Sequence, residues 1–384
     1  MSTALVSVDG AATLLRNPGA SRDRAYGDAE RAILSLDAGR RAQAVIAGWP
    51  GYAPTPLHEL ADMAKVLRVE TLRLKDESQR FELMSFKALG GAYAVELLAR
   101  ERGAEGLTVT CATDGNHGRA VAWGASRMGA KAVIFVHETV SQGRIDAIAG
   151  FGAEVVVVPG TYDDAVRHAA VVAEREGWQI VSDTSWPGYA DVPRHVMQGY
   201  AVLAAEILDA APDITHIFVA GGVGGLAAGV LSWLWELLGS ERPVFVVVEP
   251  DQAACLFASA EAGAPVTFPG DLDTIMAGLA CGEPSMLAWE LLAPGSDAFM
   301  TISDEAVAKM MCELAGVGIV SGESGAASIA GFAAAASDVA MREALCLSSR
   351  SRVVCISTEG ATDAAIYARI VGRTAAEVLE GAGT

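Results

Sequence analysis

Several stretches of this sequence hold residue types at spacings suited to chemistry. In Ser85-Phe86-Lys87-Ala88-Leu89-Gly90-Gly91-Ala92 one lysine stands among small and apolar residues, and Glu82 is the only acid close to it in the chain. Burial disfavours an ammonium. A neutral lysine amine attacks carbonyls and can hold an aldehyde cofactor as a Schiff base. A surface lysine at a helix start is the plainer alternative. In Thr113-Asp114-Gly115-Asn116-His117-Gly118 the glycines let backbone amides approach a ligand. Asn116 has the groups to hydrogen-bond a ring oxygen, and Asp114 those of a base; the same residues also suit a capped helix start. Ala220-Gly221-Gly222-Val223-Gly224-Gly225-Leu226 reads as a strand end, a glycine loop and a helix start. Exposed amides at the positive end of a helix make a phosphate cradle. Asp183, in Ser182-Asp183-Thr184-Ser185-Trp186, ends a strand, where α/β folds face their ligands; it is either catalytic or a turn cap. Gly322-Glu323-Ser324-Gly325-Ala326 and Ser357-Thr358-Glu359-Gly360 are polar turns beside element ends.

The glycine loop has a rival reading. Gly222-Val223-Gly224-Gly225-Leu226-Ala227 fits the dinucleotide pattern GxGxxA, and Glu249 ends the next strand at a suitable distance. A nicotinamide oxidoreductase would explain this piece. It would leave the Lys87 and Asp114 loops without a role, and it would place the glycine loop after a complete βαβ lobe.

The elements that must position these residues follow from hydrophobic pattern. Continuous apolar runs such as Ala132-Val133-Ile134-Phe135-Val136 and Val155-Val156-Val157-Val158 predict strands covered on both faces. Strands are predicted over 71–75, 107–112, 131–136, 154–158, 178–182, 214–220, 244–249 and 352–356. Helices are predicted between them, over 86–102, 118–128, 141–151, 162–176, 193–210, 226–238, 252–261, 285–292, 304–316 and 325–336. Before the first strand, one Ala/Arg helix is predicted over 28–46 and another over 59–67, after a Pro-stiffened extended segment at 52–57. Residues 265–284 read as irregular. Strand and helix in alternation mean an α/β fold with parallel sheet.

Composition narrows the partners. The chain has 384 residues, 52% of them hydrophobic, and a formal net charge of −19. Such an acidic surface excludes nucleic acid and anionic membranes as partners. Its six cysteines form no CxxC pair, which predicts reduced thiols and a cytoplasmic protein. The run 226–238 is too short to span a bilayer, the N-terminus lacks the pattern of a signal peptide, and the histidines have no metal-binding spacing.

Taken together, these loops resemble the fold-type II enzymes of pyridoxal 5′-phosphate, the threonine dehydratase and tryptophan synthase β group. Within it the chain is most similar to the diaminopropionate ammonia-lyase family. The likeness runs from about residue 50 to 370. It is carried by Pro54-Thr55-Pro56-Leu57, Lys75-Asp76-Glu77-Ser78, Phe86-Lys87-Ala88-Leu89-Gly90-Gly91 and Thr113-Asp114-Gly115-Asn116-His117-Gly118. It continues through Asp183-Thr184-Ser185-Trp186, Met197-Gln198-Gly199-Tyr200 and the glycine loop to Met276–Pro284 and the two late polar turns.

The resemblance implies two open, mainly parallel, twisted sheets flanked by helices. The cofactor would lie between a large domain, residues 1–87 and 191–384, and a small βαβ domain, residues 88–190. It implies that Lys87 binds the cofactor aldehyde, Asn116 its ring oxygen and Ser357, rather than Thr358, its ring nitrogen. Gly221, Gly222, Val223, Gly224 and Gly225 would hold its phosphate, and Glu323 would line its site. Lys87, Asp114 and Asp183 would be the catalytic residues, acting on a small amino acid in a homodimer. The activity implied is α,β-elimination from 2,3-diaminopropionate to pyruvate and ammonia, with a serine, threonine or 3-hydroxy amino acid dehydratase as the alternative. One departure stands beside Lys87: where the family has Phe-Gly-Leu-Asn/Gly, this chain has Phe81-Glu82-Leu83-Met84.

Overall fold

Alternate residues of one valine-rich strand serve two separate cores, and this sets the layering of the molecule. In Val244–Pro250, Phe245 and Val247 point into one apolar cluster while Val246 and Val248 point into another. The side-chain period of two along a strand produces this, and helices cover both faces. Each such fully buried side chain contributes about 1.5–3 kcal/mol relative to exposure.

The computed structural model describes residues 5–8, 11–113 and 115–381. The strands, in chain order, are β1 (Leu5–Val8), β2 (Ala12–Arg16), β3 (Leu57–Glu59), β4 (Thr71–Asp76), β5 (Thr108–Ala112) and β6 (Lys131–His137). They continue as β7 (Glu154–Val158), β8 (Gln179–Ile180), β9 (His216–Ala220), β10 (Val244–Pro250), β11 (Ala298–Ile302) and β12 (Arg352–Ser357). An eight-stranded sheet has the order β1-β2-β11-β10-β9-β12-β4-β3, and a four-stranded sheet the order β7-β6-β5-β8. The smaller sheet is wholly parallel. In the larger, β11-β10-β9-β12-β4 run parallel and antiparallel strands close both edges. This is the fold-type II architecture that the resemblance implies. No helix among the described residues is long and apolar enough to cross a membrane.

The topology gathers the loops of interest. Strands β9, β12 and β4 are neighbours, so the glycine loop after β9, Ser357 at the end of β12 and the Lys87 loop after β4 lie side by side. In the smaller sheet β5 and β8 are neighbours, which brings the Asn116 loop beside Asp183. The helix Lys87–Arg102 lies between two others, Asn116–Met128 and Asp191–Ala210, and small residues set both crossings. A Cβ at Gly124 would stand 2.7 Å from the Ala92 Cα, and one at Gly199 only 2.0 Å from the Leu89 carbonyl oxygen.

Some expectations are corrected. The single helix expected over 28–46 is two, Asp28–Ile33 and Leu36–Ala47, because Leu34 is extended and the Ser35 hydroxyl caps the second by accepting from Ala38 N. The strand expected over 178–182 pairs only at Gln179–Ile180. Leu57–Glu59 takes up the antiparallel edge where a helix start was expected, so that helix begins at Ala61.

Candidate active site

Lys87 is the first residue of its helix, and its amine meets a carboxylate. Lys87 Nζ donates to Asp183 Oδ2 at 2.5 Å, and both side chains keep 18% of their exposure. The expectation that burial leaves this amine neutral is therefore corrected: an acid 96 residues away in the chain is adjacent to it in space. Burial opposes the charge on Lys87, but the Asp183 carboxylate outweighs it, with smaller contributions from Tyr200 and Cys281, and holds the amine above its ordinary lysine value. Burial likewise opposes the charge on Asp183, and the charge and hydrogen bond of Lys87 hold its carboxyl well below the usual range. Asp183 is thus an ion-pair partner rather than a turn cap. The amine also stands 5.2 Å from the centre of the Phe86 ring.

His117 joins this pair, and sequence reasoning gave it no role. Its Nδ1 lies 3.8 Å from Asp183 Oδ2 and has no hydrogen-bond partner, while Nε2 donates to the Val181 carbonyl at 2.7 Å. Burial holds this imidazole below its ordinary value, so it is neutral with its free nitrogen towards the carboxylate. The signal for it was its place directly after Asn116.

Asn116 opens its helix, and its side-chain amide donates to Glu359 Oε2. Glu359 Oε1 accepts from Ser324 N at 3.1 Å. Glu323 is buried beside it with Oε1 unpartnered, and burial and the Glu359 carboxylate push its carboxyl up to about 7. Ser357 is fully buried, and its hydroxyl shares a hydrogen bond of 2.8 Å with that of Ser321, which the sequence did not single out. Asp114 lies outside the described residues.

The glycine loop opens the helix Gly225–Leu238. Gly222 and Gly224 have φ of +61° and +97°, which turn the chain sharply under the helix end. A Cβ at Gly224 would meet Leu292 Cδ1 at 2.9 Å, and one at Gly221 the Glu249 Cγ at 2.5 Å. First-turn amides of a helix have no acceptor within it and suit a phosphate. The dinucleotide reading fails here, because Glu249 is fully buried beneath the loop. Its two oxygens accept from Leu256 N and Phe257 N at 2.9 and 2.7 Å, so no ribose can reach them.

The residues present fit pyridoxal phosphate. A glycine-rich cradle stands at a helix start, a lysine follows a strand close by in the same sheet, a fully buried serine ends β12, and Glu323 keeps a buried carboxyl oxygen without a partner. The model of the pyridoxal-phosphate dependent enzymes matches residues 49–359, and the chain belongs to that family. The diaminopropionate ammonia-lyase of Escherichia coli K12 is 40% identical over 349 residues, covering 84% of this chain and 88% of that one. That of Salmonella typhimurium is 37% identical over 395 residues, covering 92% and 98%. The crystal structure of the E. coli enzyme in complex with D-serine superposes with a TM-score of 0.86 at 36% identity, over 94% of this chain and 96% of that one. Within the larger family, this chain belongs with the diaminopropionate ammonia-lyases.

Proposed function

We propose that this protein is a carbon–nitrogen lyase that eliminates the β-amino group of 2,3-diaminopropionate, with pyruvate and ammonia as final products. The observation that carries this reading is the Asp183 carboxylate against the Lys87 amine, with neutral His117 behind it. A carboxylate held ionised at that point is built to receive an ammonium. The hydroxyl of a dehydratase substrate brings no charge to pair with it.

The proposal assigns roles to this chain's residues. Lys87 would hold the cofactor's aldehyde carbon, and the amides of Gly222, Val223 and Gly225 its phosphate; against the expectation for all five loop residues, the Gly221 amide donates to the Val248 carbonyl at 2.8 Å and that of Gly224 to the Gly221 carbonyl at 3.2 Å. Asn116, Ser357 and Glu323 would meet its ring. Pyridoxal phosphate, when bound, serves as a sink for the electron pair left on the substrate Cα. Lys87 would remove the Cα proton on its face, and Asp114 would do so on the other. Asp183 would hold the β-amino group as ammonium, so that the group leaves as neutral ammonia with its bonding electron pair. The enamine product hydrolyses to pyruvate and a second ammonia. This chemistry would take place between residues 1–87 with 191–384 on one side and residues 88–190 on the other. From the resemblance the reading also takes a homodimer acting in cytoplasmic amino acid metabolism; an assembly mass of one chain would contradict the dimer.

The test is a product assay with the cofactor-loaded protein on 2,3-diaminopropionate, L-serine and L-threonine. Ammonia and pyruvate should form in a ratio of about two to one from the first, faster than from either hydroxy amino acid. A higher kcat/KM for serine or threonine would replace this reading with the dehydratase.

A further inference from the structure

Phe81, Glu82 and Met84 have φ of +50°, +61° and +55°. Residues with a Cβ disfavour this left-handed region. The unfavourable turn ends three residues before Lys87, and such backbone persists only where its surroundings over-determine it.

Upstream, those surroundings are a buried ion network. Arg80 is 1% exposed, and its guanidinium is forked on both sides. Nε and Nη2 donate to the two Glu77 oxygens at 2.8 Å each, and Nη1 and Nη2 to the two Glu206 oxygens at 2.9 and 2.8 Å. Lys75 Nζ donates to Glu206 Oε2 at 2.6 Å and to the Thr55 carbonyl at 2.8 Å. Tyr52 Oη donates to Glu206 Oε1 at 2.9 Å, and Thr55 Oγ1 to Glu77 Oε1 at 2.5 Å. The charges of Lys75, Arg80, Glu77 and Glu206 cancel. Buried pairs of this kind add little stability over apolar packing, so their use must lie in the geometry they impose. Downstream, the turn is hooked to the end of β12: Gly360 N donates to the Met84 carbonyl at 2.9 Å and Phe86 N to that of Thr358 at 3.1 Å. The Phe81 ring packs against Trp49 and Trp123, at 5.6 and 4.9 Å between centroids.

We propose that Arg80 is a positioning residue for Lys87. The network of Lys75, Glu77, Arg80 and Glu206 drives the chain through the left-handed turn at 81–84, and the turn fixes where the Lys87 amine stands between Asp183 and the glycine cradle. The action passes through backbone alone, and the inference rests on Lys87 as the cofactor-holding lysine.

The test uses the cofactor-loaded protein with Arg80→Lys and Glu206→Gln, each alone and combined with Glu82→Gly/Met84→Gly. Melting, kcat, KM and the visible circular dichroism of the bound cofactor are read. Arg80→Lys should lower kcat about tenfold or more with KM moving less than about threefold, as expected when a reacting group is misplaced while substrate binding is kept. Its cofactor dichroism should weaken. The glycine pair, at ease in the left-handed region, should return most of both. Glu206→Gln, which leaves the Arg80–Glu77 fork in place, should give a smaller loss in the same direction, and it carries the test if Arg80→Lys does not fold. Unchanged kcat and dichroism, or losses that persist with the glycine pair, would overturn the proposal. In the otherwise unchanged protein the glycine pair should raise the melting temperature; a lower one would show the turn to be unstrained and overturn it too. Failure of the Lys87 assignment is seen separately, as Lys87→Ala protein that keeps its cofactor colour and turnover.

Discussion

An amine that attacks an aldehyde must first give up its proton, and Asp183 makes that harder for Lys87. Burial alone would favour the neutral amine; the carboxylate at 2.5 Å reverses the balance. The stabilisation from this pair has two edges. Seen from Lys87, whose value is raised, it is fully present below the unfolded lysine value of about 10.4 and is lost as pH climbs through the folded one. Seen from Asp183, whose value is lowered, it is present above about 3.9 and is lost as pH falls through the folded one. In Asp183→Asn burial is opposed only by the smaller contributions of Tyr200 and Cys281, so the amine should fall well below its value in the unchanged protein. The cofactor-free variant should then capture added pyridoxal phosphate with a pH midpoint lower by about one unit or more, followed by absorbance. Its turnover should fall about a hundredfold, because the ammonium has lost its holder. A midpoint that stays in place or rises would show that Asp183 does not govern this amine.

At the scale of elements, the helix Lys87–Arg102 owes its place to a glycine on its neighbour. A Cβ at Gly199 would stand 2.0 Å from the Leu89 carbonyl oxygen and 2.9 Å from the Gly90 Cα. Both are backbone atoms, so no rotamer change relieves the clash. Gly199→Ala should therefore destabilise the protein by about 3 kcal/mol, at the upper end for overpacking, and should weaken cofactor retention by pushing the Lys87 helix outward. Thermal melting and cofactor dialysis measure the two, and wild-type values for both would contradict this account of the crossing. In the sequence Gly199 stands out as part of a motif, with no sign of why it must be glycine. What was legible came from local pattern. Strands such as β6 and β7 announce themselves by unbroken apolar runs, and the glycine loop by its composition. What was not legible depended on contacts distant in the chain. The Lys87–Asp183 pair, the burial of Glu249 under the glycine loop and the Ser321–Ser357 hydrogen bond all join residues from separate elements. The strand β11 (Ala298–Ile302) was missed because five residues between two helices give too little pattern to tell strand from loop. The departure at Glu82 and Met84 could be read as a change of residue, but the left-handed backbone that makes it costly could not.

At the scale of the molecule, the parts of the chain that carry the two sheets share an apolar core, and near the candidate site polar contacts add to it. Ser141 caps the helix Gln142–Ala149, and Asp363 caps Ala364–Val371. The Ser141 hydroxyl donates to Asp363 Oδ2 at 2.9 Å, so one hydrogen bond ties the cap of one lobe to the cap of the other. Arg144 Nε, 3.7 Å from the same oxygen, adds charge to the contact, and Asn116 reaches Glu359 nearby. Burial opposes the charge on Asp363, yet the amide of Ile366, Ser141 and Arg144 together hold its carboxyl below the ordinary value. This clasp therefore holds above about pH 3.9 and is lost as pH falls through the lowered folded value. Asp363→Asn keeps one oxygen for the helix cap, turns an amide NH2 towards the Ser141 hydroxyl, which must then accept, and removes the charge facing Arg144. It should cost about 1 kcal/mol of stability at neutral pH and flatten the acid limb of the stability profile. If these contacts hold the lobes together over the cofactor, the variant should also release pyridoxal phosphate several-fold faster, as an opening of about 1 kcal/mol lower free energy requires. Stopped-flow transfer of the cofactor to a trapping protein measures that rate. A variant that loses the stability but keeps the release rate would assign Asp363 to its own helix alone.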